Sequence, residues 1–276
     1  MLYSDKLEKC YNNLGELFNS LSDKEKYACP YLVVPNKNSE DSRHNILLCG
    51  KETNGWGESE GYRNDLISNP KDWENIKIKL LELYDRKVNL EWGKNIGGPF
   101  WSFYRMIREF FEKNPYNENL NPQFASCSLT VGNISLLGYN YGSKGFNPSL
   151  IDFQKNNHNI GLATDFEYLA EALNPDLLIA TVGYKKSNYT QILEKVFKIS
   201  YSDFSFFEIL IDKDNHFRIV ETDKEQIVKK NMNRDFCFGI LKLKSLTIIL
   251  APHPERKSKI KLLAFKKYIL SLLSSL

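Results

Sequence analysis

The sequence predicts an α/β protein: a three-layer α/β/α sandwich around a central, mostly parallel sheet, with an added hairpin. Three observations predict it. Short apolar runs that stop at a glycine, Ile46–Gly50 and Leu177–Gly183, have the length and make-up of strands buried on both faces. Stretches of helical apolar spacing alternate with these runs, the arrangement that lays helices over a parallel sheet. Asp212-Lys213-Asp214-Asn215, set between the apolar segments Phe204–Ile211 and Phe217–Val220, has hairpin-turn composition and adds an antiparallel flap or edge.

The elements follow in order. Residues 4–22 carry Leu7, Cys10, Tyr11, Leu14, Leu17 and Phe18 on a helical spacing. A polar segment with Pro30 and Pro35 leads through the Asn36–Arg43 loop to a strand at 45–49. Residues 58–96 read as an insertion containing one helix around Trp73–Arg86. Gly97-Gly98-Pro99 opens a helix over Phe100–Phe111, with proline near its start, where its missing N–H costs no hydrogen bond. Ser126–Leu137 reads as a second strand, emptying into a glycine-rich loop at Gly138–Gly145. Asp165–Leu173 is a helix with Thr164 or Asp165 as its cap, and Leu177–Val182 is the third strand. A helix at 188–198 and strands at Phe236–Leu243 and Leu246–Leu250 come next, and an amphipathic helix from about Lys257 to Leu273 follows. One domain is expected over 1–276, with an N-terminal helical extension (1–44) and the insertion at 58–96.

Composition narrows the function classes. Hydrophobic residues at 42% and charged residues at 26% are those of an ordinary globular protein. No apolar stretch is long enough to cross a bilayer, and the first residues lack the layout of a secretory signal, so a cytoplasmic setting is expected. Five scattered cysteines contain no C-x-x-C pair, which argues against a zinc ribbon or a cysteine-held iron–sulfur cluster and for reduced thiols. The net charge of +3 does not by itself imply a polyanionic partner.

The chemistry concentrates in three stretches. Gly50-Lys51-Glu52-Thr53-Asn54-Gly55-Trp56-Gly57 follows the first strand, where open α/β sheets bind ligands, and its glycines allow close backbone approach. Glu52 is its one carboxylate, able to orient or activate water or simply to stand solvated beside Lys51. Trp56 could stack on a ring or cover a core edge. Asn133, an amide inside the apolar run Leu129–Leu137, needs a partner for burial to be tolerated, and backbone and a ligand edge are equally good readings. His253, fixed between Pro252 and Pro254 just after a strand, suits a group that needs a preset direction. Arg256, Lys257 and Lys259 follow it, as a phosphate-holding run or a solvated face. No G-x-S-x-G, P-loop or G-x-G-x-x-G is present to support an unrelated hydrolase or nucleotide-binding enzyme.

The order of these stretches resembles the uracil-DNA glycosylase superfamily, which places a G-[QEMI]-[DNE]-P-type loop after the first strand, an Asn in the second and an H-P-S-type motif after the last. The counterparts here are Gly50–Asn54, Asn133 within Val131–Ile134, and His253-Pro254-Glu255. Gly98–Ile107 is similar to the F-W-type helix of several branches, and Pro175–Gly183 to the third-strand phrase. Thr53 stands in place of the usual proline, Glu255 in place of serine, and no leucine wedge follows. The resemblance implies a monofunctional DNA N-glycosylase, acting without metal or cofactor on a base flipped out of single- or double-stranded DNA. It implies Glu52 as the water-positioning and sugar-cation-stabilising group, and His253 as a neutral donor to the departing base. Asn133 would be the edge reader, Gly50, Trp56 and Phe100 the base-binding surroundings, and Arg256, Lys257 and Lys259 the phosphate contacts. The base is left open among uracil, another deaminated base and a modified base, and a monomer is expected. The alternative is a non-catalytic nucleic-acid or damaged-base binder on the same fold.

Overall fold

A computed structural model of the chain describes residues 5–21, 24, 27–35, 44–51, 56–57, 59–91, 99–108, 127–137, 162–231, 235–254 and 257–273. Seven strands form a single mixed sheet: β1 (His44–Gly50), β2 (Cys127–Asn133), β3 (Leu177–Ala180), β4 (Ser205–Ile211), β5 (Phe217–Glu221), β6 (Cys237–Lys242) and β7 (Thr247–Leu250). Their order across the sheet is β2-β1-β3-β7-β6-β4-β5. Eight α-helices accompany them among the described residues: α1 (Asp5–Ser20), α2 (Tyr62–Ser68), α3 (Trp73–Tyr84), α4 (Pro99–Arg108), α5 (Leu162–Leu173), α6 (Asn188–Phe197), α7 (Lys224–Lys229) and α8 (Lys259–Leu273).

The sheet divides into halves. β2, β1, β3 and β7 run parallel, whereas the β7–β6, β6–β4 and β4–β5 pairings are antiparallel. The expectation of a mostly parallel sheet is therefore corrected to an evenly mixed one. The cause is the connection between β6 and β7, where the Leu243 N–H donates to the Leu246 carbonyl at 2.8 Å. So short a link cannot make the crossover that parallel strands need. The β4–β5 hairpin is no flap, because β4 also pairs with β6 and carries the sheet outward to the edge strand β5.

Phenylalanines and aliphatic residues join the helices to this sheet. Phe103 of α4 stacks on Phe265 of α8 with centroids 6.0 Å apart, and Phe265 also meets Phe236 and Phe238 at 5.1 Å each. Phe166 of α5 stands edge-on to Phe197 of α6. A fully buried ring such as Phe166, Phe238 or Phe265 contributes roughly 1.5–3 kcal/mol through the apolar area it removes from water. α1 lies against α5, and its Gly15 sits under the Trp73 ring of α3 with no room for a Cβ.

Between α1 and β1 runs an extended strap, Ala28–Val34, every residue of which is buried. It is tied to the loops at the carboxyl end of the sheet: the Cys29 N–H donates to the Trp56 carbonyl (3.0 Å) and the Tyr31 N–H to the Leu136 carbonyl (2.7 Å). The Tyr11 hydroxyl of α1 donates to the Val33 carbonyl at 2.5 Å. What reads in sequence as a polar connector is thus part of the core. Gly57 turns at φ 73°, and a Cβ there would press on Cys29 at 3.0 Å, so glycine is what lets the loop close on the strap.

Other expectations shift at their edges. α5 begins at Leu162, which puts Thr164 and Asp165 inside its first turn rather than at the cap. β2 ends at Asn133, and beyond it the chain bends, with the Ser135 hydroxyl donating to the Leu137 carbonyl at 2.7 Å. α3 passes directly into a π-helical turn, Asp85–Glu91. α6 is capped by Ser187, whose side chain accepts from the Thr190 N–H in a capping box. The Asn36–Arg43 and Gly138–Gly145 loops lie outside the described residues. Among the described residues no helix is long and apolar enough to cross a membrane.

Candidate functional site

The site grows from the register of β1 and β2. Cys49 pairs with Gly132 and Gly50 with Asn133, so each pair shares a face of the sheet. A Cβ on Gly132 would meet Leu47, Cys49 and Leu169 of α5, which fixes the first pair toward α5. The next pair, by alternation, turns to the other face, where α4 begins. There the position a Gly50 Cβ would take lies 2.6 Å from Asn133 Oδ1 and 3.7 Å from the Phe100 ring. Glycine at 50 is required because the Asn133 amide occupies the space a side chain would fill.

Asn133 is 5% exposed, and its amide makes no hydrogen bond with any described residue. The backbone just beyond it is tied to β1. The strand pairing continues past it, with the Ile134 N–H donating to the Gly50 carbonyl (3.0 Å) and the Ser135 N–H to the Lys51 carbonyl (2.9 Å).

Phe100 and His253 complete the grouping. Phe100 is half-buried at the start of α4, edge-on to Trp101 at 5.3 Å, and lies nearly parallel to the His253 imidazole, with centroids 6.2 Å apart and planes 18° from coplanar. His253 itself is half-buried between two buried prolines, Pro252 and Pro254. The Gly183 N–H donates to the Ala251 carbonyl (2.8 Å) and the Ala251 N–H to the Ala180 carbonyl (2.9 Å), tying the segment before His253 to the end of β3. Thr181, which the sequence reading passed over, closes the floor between β1 and β3. Its N–H and its hydroxyl both donate to the Cys49 carbonyl, at 2.8 and 2.9 Å.

These groups sit at the carboxyl ends of the parallel strands. The chain leaves β1 for β2 on one side and leaves β3 for β4, beyond β7 on the other, so the connections diverge between neighbouring strands. Ligands of open α/β sheets bind at such a divergence. An acceptor and donor pair, an aromatic face and an imidazole converge there, a combination able to hold a planar heterocycle by its edge and face.

The remaining sequence-derived residues fall elsewhere or beyond description. Trp56 is 5% exposed and packs edge-on to Tyr31 with centroids 4.8 Å apart, so it is a core residue beneath the strap. Lys257 is half-buried, and its amine donates to the Asp235 carbonyl at 3.1 Å. Burial and the nearby Lys261 ammonium hold that amine below the ordinary lysine range. That bond ties the segment after His253 to the residues just before β6. Lys259 is exposed at the first turn of α8. Glu52 and Arg256 lie outside the described residues.

Two other features stand apart from this grouping. Asp212, Asp214 and His216 at the β4–β5 turn bring ligand-type atoms within 4.8 Å of one another. All three are exposed, and Asp212 Oδ1 already accepts from the Asp214 and His216 N–H groups, which organises the turn. A small cavity bordered by Asn45, Ser128, Thr130 and Pro175 lies toward the amino ends of β1 and β2, opposite the site. No protein-family model, curated protein or solved structure matches the chain.

Proposed function

We propose that the protein is a DNA N-glycosylase that hydrolyses the bond to a flipped uracil-like or modified base, on a three-layer α/β/α fold extended by the antiparallel half of the sheet. The observation that carries this reading is the amide of Asn133, seated over Gly50 beside Phe100 and His253 with no hydrogen bond to any described residue. An amide offers acceptor and donor side by side, which matches a nucleobase edge, and a ligand edge can supply hydrogen bonds that the described residues do not. The resemblance of the three motifs to the uracil-DNA glycosylase superfamily supports the same assignment.

In the reaction, the base leaves the stack and enters the crevice, with Phe100 against its face and Asn133 at its edge. The bond between the sugar carbon and the base nitrogen breaks, and its electron pair departs with the base. Water adds to the sugar carbon, its proton passing to Glu52, and the released base takes up a proton. An N–H of His253 aimed at the base carbonyl stabilises the developing negative charge, a contribution of roughly a hundred- to a thousand-fold in rate for one such donor. The two prolines hold the imidazole in place before the charge appears, so little reorganisation is needed. Trp56 takes no part in stacking, a role that Phe100 fills, and Lys257 acts on DNA only through the segment it ties down. Lys259 and Arg256 are left as the phosphate contacts.

The test is incubation with single- and double-stranded oligonucleotides carrying uracil, hypoxanthine and several modified pyrimidines, followed by alkaline cleavage at abasic sites. Strand cleavage at one or more bases is expected, falling at least a hundred-fold in both Glu52→Gln and His253→Ala while the variants stay folded. Base-dependent binding with no abasic product would assign the non-catalytic binder instead. Neither binding nor cleavage with any substrate would refute both.

A further inference from the structure

Three lysine-bearing segments meet at the carboxyl end of the sheet, around β3, β7 and β6. The first follows β3. The Gly183 N–H is bonded to the Ala251 carbonyl, two residues before His253, and the Tyr201 hydroxyl donates to the Tyr184 carbonyl at 2.6 Å, so the backbone leading to Lys185 and Lys186 is held at the rim. The second segment precedes β6. The Lys185 amine donates to the Val228 carbonyl at 2.6 Å, which ties it to the end of α7, where Lys229 stands. Asn231 and Asp235 then close on each other, the Asp235 N–H on the Asn231 carbonyl and the Asn231 N–H on Asp235 Oδ2, both at 2.8 Å. The third segment follows His253. There the Lys257 amine reaches the Asp235 carbonyl at 3.1 Å, and Lys259 and Lys261 open α8. Hydrogen bonds thus join all three segments into one band.

The band keeps its charge. Lys186, Lys229 and Lys259 are exposed, and none of these, nor Lys185, pairs with a carboxylate among the described residues. Lys185 is anchored by a neutral carbonyl, which fixes its ammonium without cancelling it. Lys230 is the exception, neutralised by Glu208 at 2.6 Å. The acidic residues of α7, Asp223 and Glu225, stand before and within its first turn, at the end away from Lys229. The whole chain carries a net charge of only +3, so the excess at this rim is local. β3 and β6 flank β7, two strand spacings or roughly 10 Å apart. Lysines rising from their ends form a band about as wide as the major groove of a duplex, roughly 12 Å.

We propose that this band seats the phosphate backbone of DNA on the antiparallel side of His253, with Lys185, Lys186 and Lys229 as contacts beyond Lys259, and Lys257 as the tie that holds the segments together. The proposal rests on DNA being the partner, as in the proposed function, and is independent of the chemistry at Asn133. Such contacts fix where the duplex lies and carry no base information.

The experiment measures equilibrium binding of an undamaged duplex oligonucleotide across a series of salt concentrations. It compares the parent, Lys186→Gln/Lys229→Gln, and Lys242→Gln/Lys244→Gln. The last two lysines are exposed at the opposite end of the sheet, where β6 ends beside the start of β7, and control for lost charge alone. Each lost phosphate contact lowers the slope of log affinity against log salt by about one. The first variant is therefore expected to lose about two from that slope and to bind at least about ten-fold more weakly at roughly 50 mM salt. The control is expected to keep the parent slope, as is Lys186→Arg/Lys229→Arg, which retains the charge. Parent-like affinity and slope in Lys186→Gln/Lys229→Gln overturn the band, and so does an equal loss in the control or in the arginine variant. A parent that binds the duplex without salt dependence, or not at all, removes the DNA reading itself and this proposal with it.

Discussion

Gly50→Ala is a one-carbon test of the site. The added Cβ would lie 2.6 Å from Asn133 Oδ1, and real Cβ contacts essentially never fall below 3.0 Å. The amide must therefore withdraw by at least about 0.4 Å, while the Phe100 ring, at 3.7 Å, need not move. For the fold, two effects oppose each other. Alanine in a strand gains about 0.5–1 kcal/mol over glycine by restricting the unfolded chain, and the forced shift costs about 1–3 kcal/mol. The net is a loss of about 0–2 kcal/mol, a fall of no more than roughly 8 °C in Tm for a chain of this size. For the ligand, a hydrogen bond pair held in a fixed frame loses its geometry, worth about 1–3 kcal/mol or roughly a five- to 150-fold loss in base-dependent kcat/KM. Thermal unfolding and excision kinetics on the same preparation separate the two. Parent-like kcat/KM in a folded Gly50→Ala would refute the placement of Asn133 at the ligand. A collapse in Tm beyond about 10 °C would show that the contact belongs to the core instead.

Three further outcomes follow from the packing. Trp56→Ala should cost about 3–5 kcal/mol in urea unfolding, whereas Trp56→Phe should keep most of the excision activity, because the indole fills space under the strap. Retained stability with lost activity in Trp56→Phe would return that ring to the site. The Glu208–Lys230 pair, at 2.6 Å, joins a carboxylate that is 10% exposed to an ammonium that is 29% exposed. Lys230→Met strands the more buried charge and should cost about 1–3 kcal/mol, more than Glu208→Gln does. The reverse order would contradict that burial. The hydrogen bond to Glu208 raises the Lys230 pKa above its ordinary 10.5. The parent's advantage over Lys230→Met should therefore be constant at neutral pH and fade only as pH climbs above about 10.5. A loss of that advantage near neutrality would rule out the lysine as its source.

Much of the parallel half was legible because the signals are local. Ile46–Gly50 and Leu177–Ala180 are short apolar runs, and Pro99 marks the start of α4 within one residue of the expected place. The hairpin turn at Asp212–Asn215 is equally local. What failed to show depends on distant partners. The strap hides between Pro30 and Pro35, and its burial comes from carbonyls of Trp56 and Leu136 that no periodicity links to it. Trp56 reads equally as a ligand-stacking ring or a core cover, because the strap that buries it reads in sequence as a connector. In the site, Asn133 was visible as an amide out of place, and His253 as an imidazole framed by prolines. Their convergence was not visible, since it depends on the register that sets Gly50 beside Asn133 and on α4 presenting Phe100 to His253.

The most direct measurement is the paired stability and base discrimination of Asn133→Leu. An amide that serves the fold would be missed, and one that serves a ligand would not. If Asn133 is the reader, replacing it with an apolar side chain of similar volume leaves Tm unchanged or raises it, and abolishes discrimination among uracil-type, modified and ordinary bases. A fall of several degrees in Tm with discrimination intact would contradict the assignment and give the amide back to the core.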